Sequence, residues 1–173
     1  MDCKKHKRKS TCLLGIALII LIGCGTSKDD EEALRELVKQ AARLAERHDV
    51  NEIMAFTTDD FQAQPGGLDR QGTNGTLRLV FRGYGKMRVL HPEPAVRLEK
   101  DSKLALLSFP FLILKKDQTL PELDRLYNDP KGWIEKVGER ADLYRLKLGM
   151  VNKDGQWLVK TARLEKFTGL GFD

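Results

Sequence analysis

The sequence predicts an α+β domain in which three helices precede a hairpin-connected sheet of about four strands. Within residues 30–56 and 76–84, apolar residues recur at spacings of three and four, the period of an amphipathic helix. From Met87 onward the apolar residues form extended runs instead, and Asn152–Gly155 is the strongest turn signal of the chain. Helices and strands are therefore segregated along the chain, which is typical of the α+β class.

The first helix is predicted from about residue 30 to residue 48. Four acidic residues, Asp29 to Glu32, place negative charge at its N-terminus, where the helix dipole favours it. Basic residues repeat every four positions on one side. The opposite side is an apolar face that consists of Leu34, Leu37, Val38, Ala41, Leu44, Ala45 and His48.

Two shorter helices are predicted next, with a long loop between them. The second helix covers Val50–Phe56, with Asn51 as its N-cap. Residues 62–75 contain four glycines and a proline, which predicts a loop. The third helix covers Thr76–Tyr84, because its apolar residues return to helical spacing and Gly83 and Gly85 then end it.

Two strands follow the helices. Met87–Lys100 is interrupted by His91–Pro94, whose two prolines cannot donate ladder hydrogen bonds and so mark a bend or an edge. Ser102–Lys116 is a long apolar strand with Pro110 inside it, and a hairpin turn joins the two strands. Residues 117–140 then interrupt the sheet, and their pattern predicts a short helical insert.

The last two strands form a hairpin around Asn152–Gly155 and cover Asp142–Val151 and Gln156–Phe167. The alternation of apolar residues along the second strand changes phase after Val159. One extra residue in a strand causes such a change, so we predict a β-bulge near Lys160–Thr161.

The N-terminus has the charge and hydropathy pattern of a secretory signal. Five cations between Lys4 and Lys9 precede an uncharged apolar run from Cys12 to Gly23. This run is shorter than the ~20 residues of a transmembrane helix and suits the roughly 7–15 apolar residues of a signal peptide. Two alternatives stay open, in which the cations are a nuclear-localisation or nucleic-acid patch, or the apolar run is an uncleaved anchor.

The segment Leu21–Cys24 (LIGC) resembles the lipobox of bacterial lipoproteins, in which the cysteine receives a diacylglyceryl group and becomes the mature N-terminus. Cys12 is a poorer acceptor because no aliphatic run precedes it. The resemblance implies a signal peptide over residues 1–23, a tether over 24–28 that carries lipid such as palmitate on Cys24, and a folded domain over 29–173.

The net charge of the whole chain does not describe the folded domain. The chain has a formal charge of +5 and a pI of about 9.1, but five of its 30 cations and one of its 25 acids lie in residues 1–23. The rest carries 25 cations and 24 acids, which argues against a nucleic-acid partner. The three cysteines all lie at or before Cys24, so the predicted mature domain has no disulfide, and it is long enough for a core without one.

The order of elements resembles the NTF2-like superfamily, which includes nuclear transport factor 2 and ketosteroid isomerase. His48-Asp49, Thr58–Phe61 and Gly155–Val159 carry the resemblance, which covers residues 30–167. It implies a cone in which the N-terminal helices pack on a curved, mostly antiparallel sheet around a cavity, with the helical insert at the open end. The candidate lining residues are Phe61, Phe81, Tyr84, Phe109, Phe111, Tyr144 and Trp157, and the alternative is that these side chains simply fill the core.

The sequence contains no strong catalytic or metal-binding motif. His48 and His91, the histidines that follow the signal, have no metal-ligand partner at a suitable spacing, so neither a metal nor a cofactor is predicted. The resemblance to ketosteroid isomerase implies a carboxylate base and a tyrosine oxyanion donor, for which Asp59 or Asp60 with Tyr84 are weak candidates. Paired aspartates after a helix are more often solvated or capping residues.

Three functions therefore stay open, with a lipoprotein of the bacterial cell envelope favoured. This protein would be a non-catalytic binding module for a small apolar ligand or an envelope protein, attached to the membrane through lipid on Cys24. Gly25 favours the periplasmic face of an outer membrane, if the organism has one. The second function is an isomerase- or dehydratase-like enzyme with a carboxylate in the cavity, and the third is a scaffold that acts through its sheet face, for example as a homodimer.

Overall fold

The computed structural model describes residues 27–99, 103–115 and 142–166. The predicted export signal, Cys24 and the predicted insert at 117–140 lie outside these residues. The described elements are α1 (Ser27–Glu46), α2 (Val50–Ala55), β1 (Thr57–Gln64), α3 (Arg70–Tyr84), β2 (Met87–Leu90), β3 (Ala95–Leu98), β4 (Leu104–Lys115), β5 (Asp142–Lys153) and β6 (Gln156–Lys166).

The strands form one sheet in the order β1-β6-β5-β4-β2, with β3 also paired to β4. β1 is parallel to β6, and the other pairs are antiparallel. The predicted α+β class is confirmed, with helices packed on a curved, mostly antiparallel sheet. The predicted number of about four strands is too low, since the described residues form a sheet of six.

α1 confirms the first predicted helix, and His48 closes it in the left-handed conformation. The φ angle of His48 is 60°. The N–H of Asp49 donates to the carbonyl of Leu44 over 2.9 Å, and the N–H of His48 donates to the carbonyl of Ala45 over 3.0 Å. These bonds satisfy carbonyls that the end of a helix leaves without intrahelical partners.

Side-chain hydrogen bonds attach α1 to the sheet near both of its ends. Asp30 Oδ1 accepts from Trp157 Nε1 over 2.9 Å, so the first turn of α1 lies against the start of β6. Glu46 Oε1 accepts from the N–H of Val89 on β2 over 2.9 Å. Together with its buried apolar face, these contacts fix the direction of α1 across the sheet.

The second helix is confirmed, but its predicted N-cap is wrong. The cap is Asp49, whose carboxylate accepts from the N–H of Glu52 over 3.4 Å. Asn51 is the second residue of the helix and accepts from Arg78 on α3 over 2.7 Å. Both residue types make good caps, and the left-handed turn at His48 decides which of them precedes the helix.

The loop predicted over residues 62–75 is wrong at both ends, because β1 extends to Gln64 and α3 begins at Arg70. Only Thr58 and Phe61 of β1 are buried, and these two positions are three apart, so the strand shows no alternation in the sequence. α3 begins early because Asp69 caps it, accepting from the N–H of Gly72 over 2.8 Å.

The proline-rich interruption and the proline within β4 occupy the same part of the sheet. β2 pairs with residues 112–115 of β4 and β3 pairs with residues 105–108, so Pro110 lies opposite the gap between β2 and β3. A proline has no N–H to donate, and here no strand on that side requires one. The predicted interruption at His91–Pro94 is confirmed.

The predicted hairpin and bulge are both confirmed. Lys153 pairs with Gln156 across a two-residue turn at Asp154 and Gly155, which have φ angles of 52° and 88°. Lys160 is the bulge residue, because the partners of β6 change from Met150 opposite Val159 to Gly149 opposite Thr161. The bulge reverses which residues of β6 face the helices.

The core lies between the helices and one face of the sheet. Its buried members are Leu34, Val38, Val50, Met54, Phe61, Phe81, Met87, Ala105, Leu107, Phe109, Ile113, Leu148, Met150, Trp157 and Val159. The opposite sheet face exposes Leu104 and Leu106 near the start of β4. The helix-facing side of the sheet therefore holds the aromatic residues that concern function.

Candidate functional site

Four aromatic rings form a continuous row on the helix-facing side of the sheet. The ring centroids of His91 and Phe109 are 5.6 Å apart, those of Phe109 and Phe111 are 6.4 Å apart, and those of Phe111 and Tyr144 are 5.6 Å apart. Phe111 and Tyr144 are paired residues of β4 and β5, and their rings are stacked. We call these four residues the aromatic row. Phe109 is buried and the other three are half-buried, so the row lies at the margin of the core.

A tyrosine–carboxylate pair lies at the Tyr144 end of the aromatic row. The hydroxyl of Tyr84, at the end of α3, donates to Asp142 Oδ2 at the start of β5, and the two oxygens are 2.5 Å apart. Burial is the largest cause that raises the pKa of Tyr84 far above its usual value, and the neighbouring Asp142 and Tyr144 add to it. Tyr84 is therefore a neutral phenol that donates its proton to a carboxylate.

The seven predicted lining residues divide into two groups. Phe61, Phe81, Phe109 and Trp157 are buried members of the core, whereas Tyr84, Phe111 and Tyr144 are half-buried and pack against its margin. Phe81 stacks on His48 with a centroid distance of 5.5 Å. In the second group, Tyr84 bonds to Asp142, Tyr144 contacts Tyr84, and Phe111 stacks on Tyr144.

The two weak catalytic candidates on β1 form ion pairs at the surface. Asp59 lies 3.4 Å from Arg70, and Asp60 lies 3.3 Å from Lys160. The neighbouring Thr58 side chain, followed by the contact with Lys160, lowers the pKa of Asp60. Both carboxylates are exposed, which suits solvated acids better than a general base.

The structure brings Asp142 to Tyr84 instead. Sequence reasoning missed this residue, because a lone aspartate at the start of a strand carries no local signal for a partner 58 positions away. It also missed His91 as a neighbour of Phe109. A single sequence offers no sign of either contact, since each joins segments that only the fold brings together.

No metal site or membrane-spanning helix is found in the parts of the chain that the structure describes. No group of three His, Cys, Asp or Glu side chains there could hold a metal ion. No described helix is both long enough and apolar enough to cross a bilayer. The Nε2 atom of His48 is buried without a hydrogen-bond partner, so the ring is held by its stacking on Phe81.

Solved structures with the same architecture cover most of this chain. An NTF2-like protein from Pseudomonas putida KT2440 is similar over 82% of this chain and 89% of its own, with 16% identity and a TM-score of 0.62. A candidate scytalone dehydratase from Novosphingobium aromaticivorans is similar over 80% and 85%, with 12% identity and a TM-score of 0.59.

Bd1075 of Bdellovibrio bacteriovorus is also similar, with 11% identity and a TM-score of 0.59, over 84% of this chain but 44% of its own. No protein-family profile matches the sequence, and no curated protein matches it. The chain thus has the NTF2-like fold, which occurs in binding proteins and in enzymes.

Proposed function

We propose that this protein is a lipid-anchored envelope protein whose NTF2-like domain binds a small, flat, apolar ligand that carries a hydroxyl group. One observation carries the proposal, namely that the half-buried rings of Phe111 and Tyr144 lie beside the Tyr84–Asp142 pair. Ligand sites typically combine an apolar, aromatic lining with a few polar groups that orient the ligand.

Each part of this cluster would have a separate role in binding. The stacked rings of Phe111 and Tyr144 offer an apolar surface to a flat ring, at centroid separations typical of aromatic pairs. Tyr84 donates its proton to Asp142 and also hydrogen-bonds with Tyr144, so the acceptors left for a ligand are the remaining lone pairs of the Asp142 carboxylate. A hydroxyl donor on the ligand fits this acceptor at the edge of an apolar surface.

The anchor is the second part of the proposal, and it rests on the LIGC segment that ends at Cys24. Acylation there would hold the domain at the cell envelope, in the outer membrane if the organism has one. We expect metabolic labelling with a fatty-acid analogue to mark the wild type and not Cys24→Ser. Labelling that persists in Cys24→Ser would contradict the anchor without affecting the ligand site.

The ligand is tested on the mature protein purified from its own host. Native mass spectrometry should show a co-purifying small molecule that is lost after denaturation. Tyr144→Ala should reduce its occupancy by removing one stacked ring, whereas Leu106→Ala, on the opposite sheet face, should not. A clean apo mass for the wild type, with no change in melting temperature across a library of aromatic alcohols, would overturn the proposal.

An enzyme of the isomerase or dehydratase class is the second candidate, and the Tyr84–Asp142 pair favours it. One structural neighbour is described as a candidate scytalone dehydratase, and a tyrosine beside a carboxylate can move a proton. However, Asp142 is exposed, so it lacks the burial that would make it a stronger base. If the protein is an enzyme of this class, the Asp142→Asn variant should still bind the co-purifying molecule but should no longer convert it.

A further inference from the structure

We propose that the outward side of α3 is a docking surface for an anionic lipid bilayer. We call this surface the α3 face and define it by Arg78, Leu79 and Arg82 on the helix and by Lys86, two residues after its end. It lies on a different side of α3 from the tyrosine–carboxylate pair. The inference rests on the proposed anchor at Cys24 for one point, that the domain is held beside a membrane.

Leu79 projects from α3 without cover. Phe81 is buried and Leu77 and Tyr84 are half-buried against the core, so the helical period places Leu79 on the opposite side. The exposed fraction of Leu79 is 68%, the highest among the exposed large hydrophobic residues. Gly75 and Gly83, one turn before and after it, have no side chains and open space around them. Leu79 therefore has no side chain four positions before it or four positions after it along the helix.

The α3 face is positively charged within a domain that is nearly neutral. The segment from Arg70 to Pro92 contains five cations and no acid, whereas the chain after residue 23 has 25 cations and 24 acids. Arg78 donates to the side-chain amide oxygens of Asn74 and Asn51. Because both amides are neutral, these bonds do not compensate the positive charge of Arg78.

The remaining cations of the α3 face have no carboxylate nearby. Among the described residues, neither Arg82 nor Lys86 lies within ion-pair distance of an acid. At the other end of α3, Asp69 caps the helix and Asp59 of β1 is paired with Arg70. The positive charge therefore stays unneutralised around Leu79.

An exposed leucine with cations beside it matches the boundary between anionic headgroups and acyl chains. The cations would lie among the headgroups while the leucine enters the acyl region. Each cation near such a surface favours binding about fivefold, so three cations and one leucine form a weak site. A tether of a few residues to a lipidated Cys24 would hold this weak site at a high effective concentration.

The test uses the mature protein with one introduced thiol. All three natural cysteines lie at or before Cys24, so after acylation Gly75→Cys is the sole free thiol and lies on the outward side of α3. A reference protein carries Lys153→Cys at the β5–β6 turn. Each is labelled with a fluorophore and placed in vesicles that contain a quencher-bearing lipid, with or without phosphatidylglycerol.

We expect the label at residue 75 to be quenched more strongly with phosphatidylglycerol than in phosphatidylcholine alone, and the label at residue 153 to show no such difference. Arg82→Glu with Lys86→Glu should remove the difference, and Leu79→Ser should reduce it. Arg97→Glu with Lys103→Glu is the matched control, because it makes the same charge change on the β3–β4 hairpin. An unchanged melting temperature shows that each variant is folded.

Equal quenching at residue 75 in both vesicle types, or an equal effect of the control reversal, would overturn the docking surface. Failure of the anchor is recognised separately, since the unmodified protein would then lack the acyl mass. In that case flotation is the readout, and the wild type should float with phosphatidylglycerol vesicles and not with phosphatidylcholine vesicles. Binding to acidic proteins but to neither vesicle would also refute the lipid partner.

Discussion

The hydroxyl of Tyr84 donates to the carboxylate of Asp142 over 2.5 Å, between residues 58 positions apart. This bond joins the C-terminus of α3 to the first residue of β5. It also supplies the polar group beside the stacked rings of Phe111 and Tyr144. The same contact therefore positions a helix and completes the proposed ligand site.

Tyr84→Phe should make stability less dependent on alkaline pH. The pKa of Tyr84 is raised in the folded state, chiefly by burial, so the folded protein keeps this proton when the unfolded chain, with a value near 10.0, loses it. The stability that depends on this group is thus complete below pH 10.0 and is lost as the pH rises further. Urea unfolding at neutral pH and above pH 10.0 should show a larger fall for the wild type than for Tyr84→Phe.

Asp142→Asn separates the effect of burial on the pKa of Tyr84 from the effect of the neighbouring carboxylate. Removal of the carboxylate charge should lower the pKa of Tyr84, but burial should keep it above the usual value. Ultraviolet titration of the folded protein measures this pKa. A return to the ordinary value in Asp142→Asn would show that the charge, and not burial, dominates.

Replacing Arg70 with lysine should lower the stability of the fold. Its guanidinium donates to Thr57 Oγ1 and to the carbonyl of Met54, each over 3.1 Å, and so joins the start of α3 to α2 and β1. Arg70→Lys should lose about 1–3 kcal/mol of unfolding free energy, because an ammonium group cannot reproduce this fork. Arg82→Lys is the control and should be close to neutral. Equal stability of the two variants in urea would argue against the proposed role.

The two helix caps should differ in strength. Asp69 accepts from the N–H of Gly72 over 2.8 Å, whereas Asp49 accepts from that of Glu52 over 3.4 Å. Asp69→Ala should therefore cost about 1 kcal/mol and Asp49→Ala less. Asp69→Asn should stay near the wild type, because its amide oxygen still accepts. A larger loss for Asp49→Ala in chemical denaturation would reverse this ranking.

Gly149→Ala should destabilise the sheet. A methyl group at this position would collide with Thr161 Oγ1 on β6, and relieving that collision should cost about 1–3 kcal/mol. The loss should be smaller when Thr161→Ala is also present, because the colliding oxygen is gone. Gly75→Ala is the control, since open space surrounds Gly75 within a helix, and it should stabilise by about 1 kcal/mol. Additive effects of Gly149→Ala and Thr161→Ala would exclude the collision.

Local signals predicted much of the fold and little of the site. The bulge at Lys160 was predictable because the phase of alternation changes within a few residues of β6. β1 was not, because it is an edge strand with two buried positions three apart. Of the predicted lining residues, Trp157 lies in the core and bonds to Asp30, while Asp142 was not predicted at all.

The sequence by itself determined the amphipathic α1, the β5–β6 hairpin with its Asp154-Gly155 turn, and the α+β class, because periodicity and turn chemistry act between close neighbours in the chain. Tertiary structure alone decided that β1 is a strand and that Asp142 is the partner of Tyr84. Such choices depend on which distant segments are brought together, and residue spacing carries no information about that.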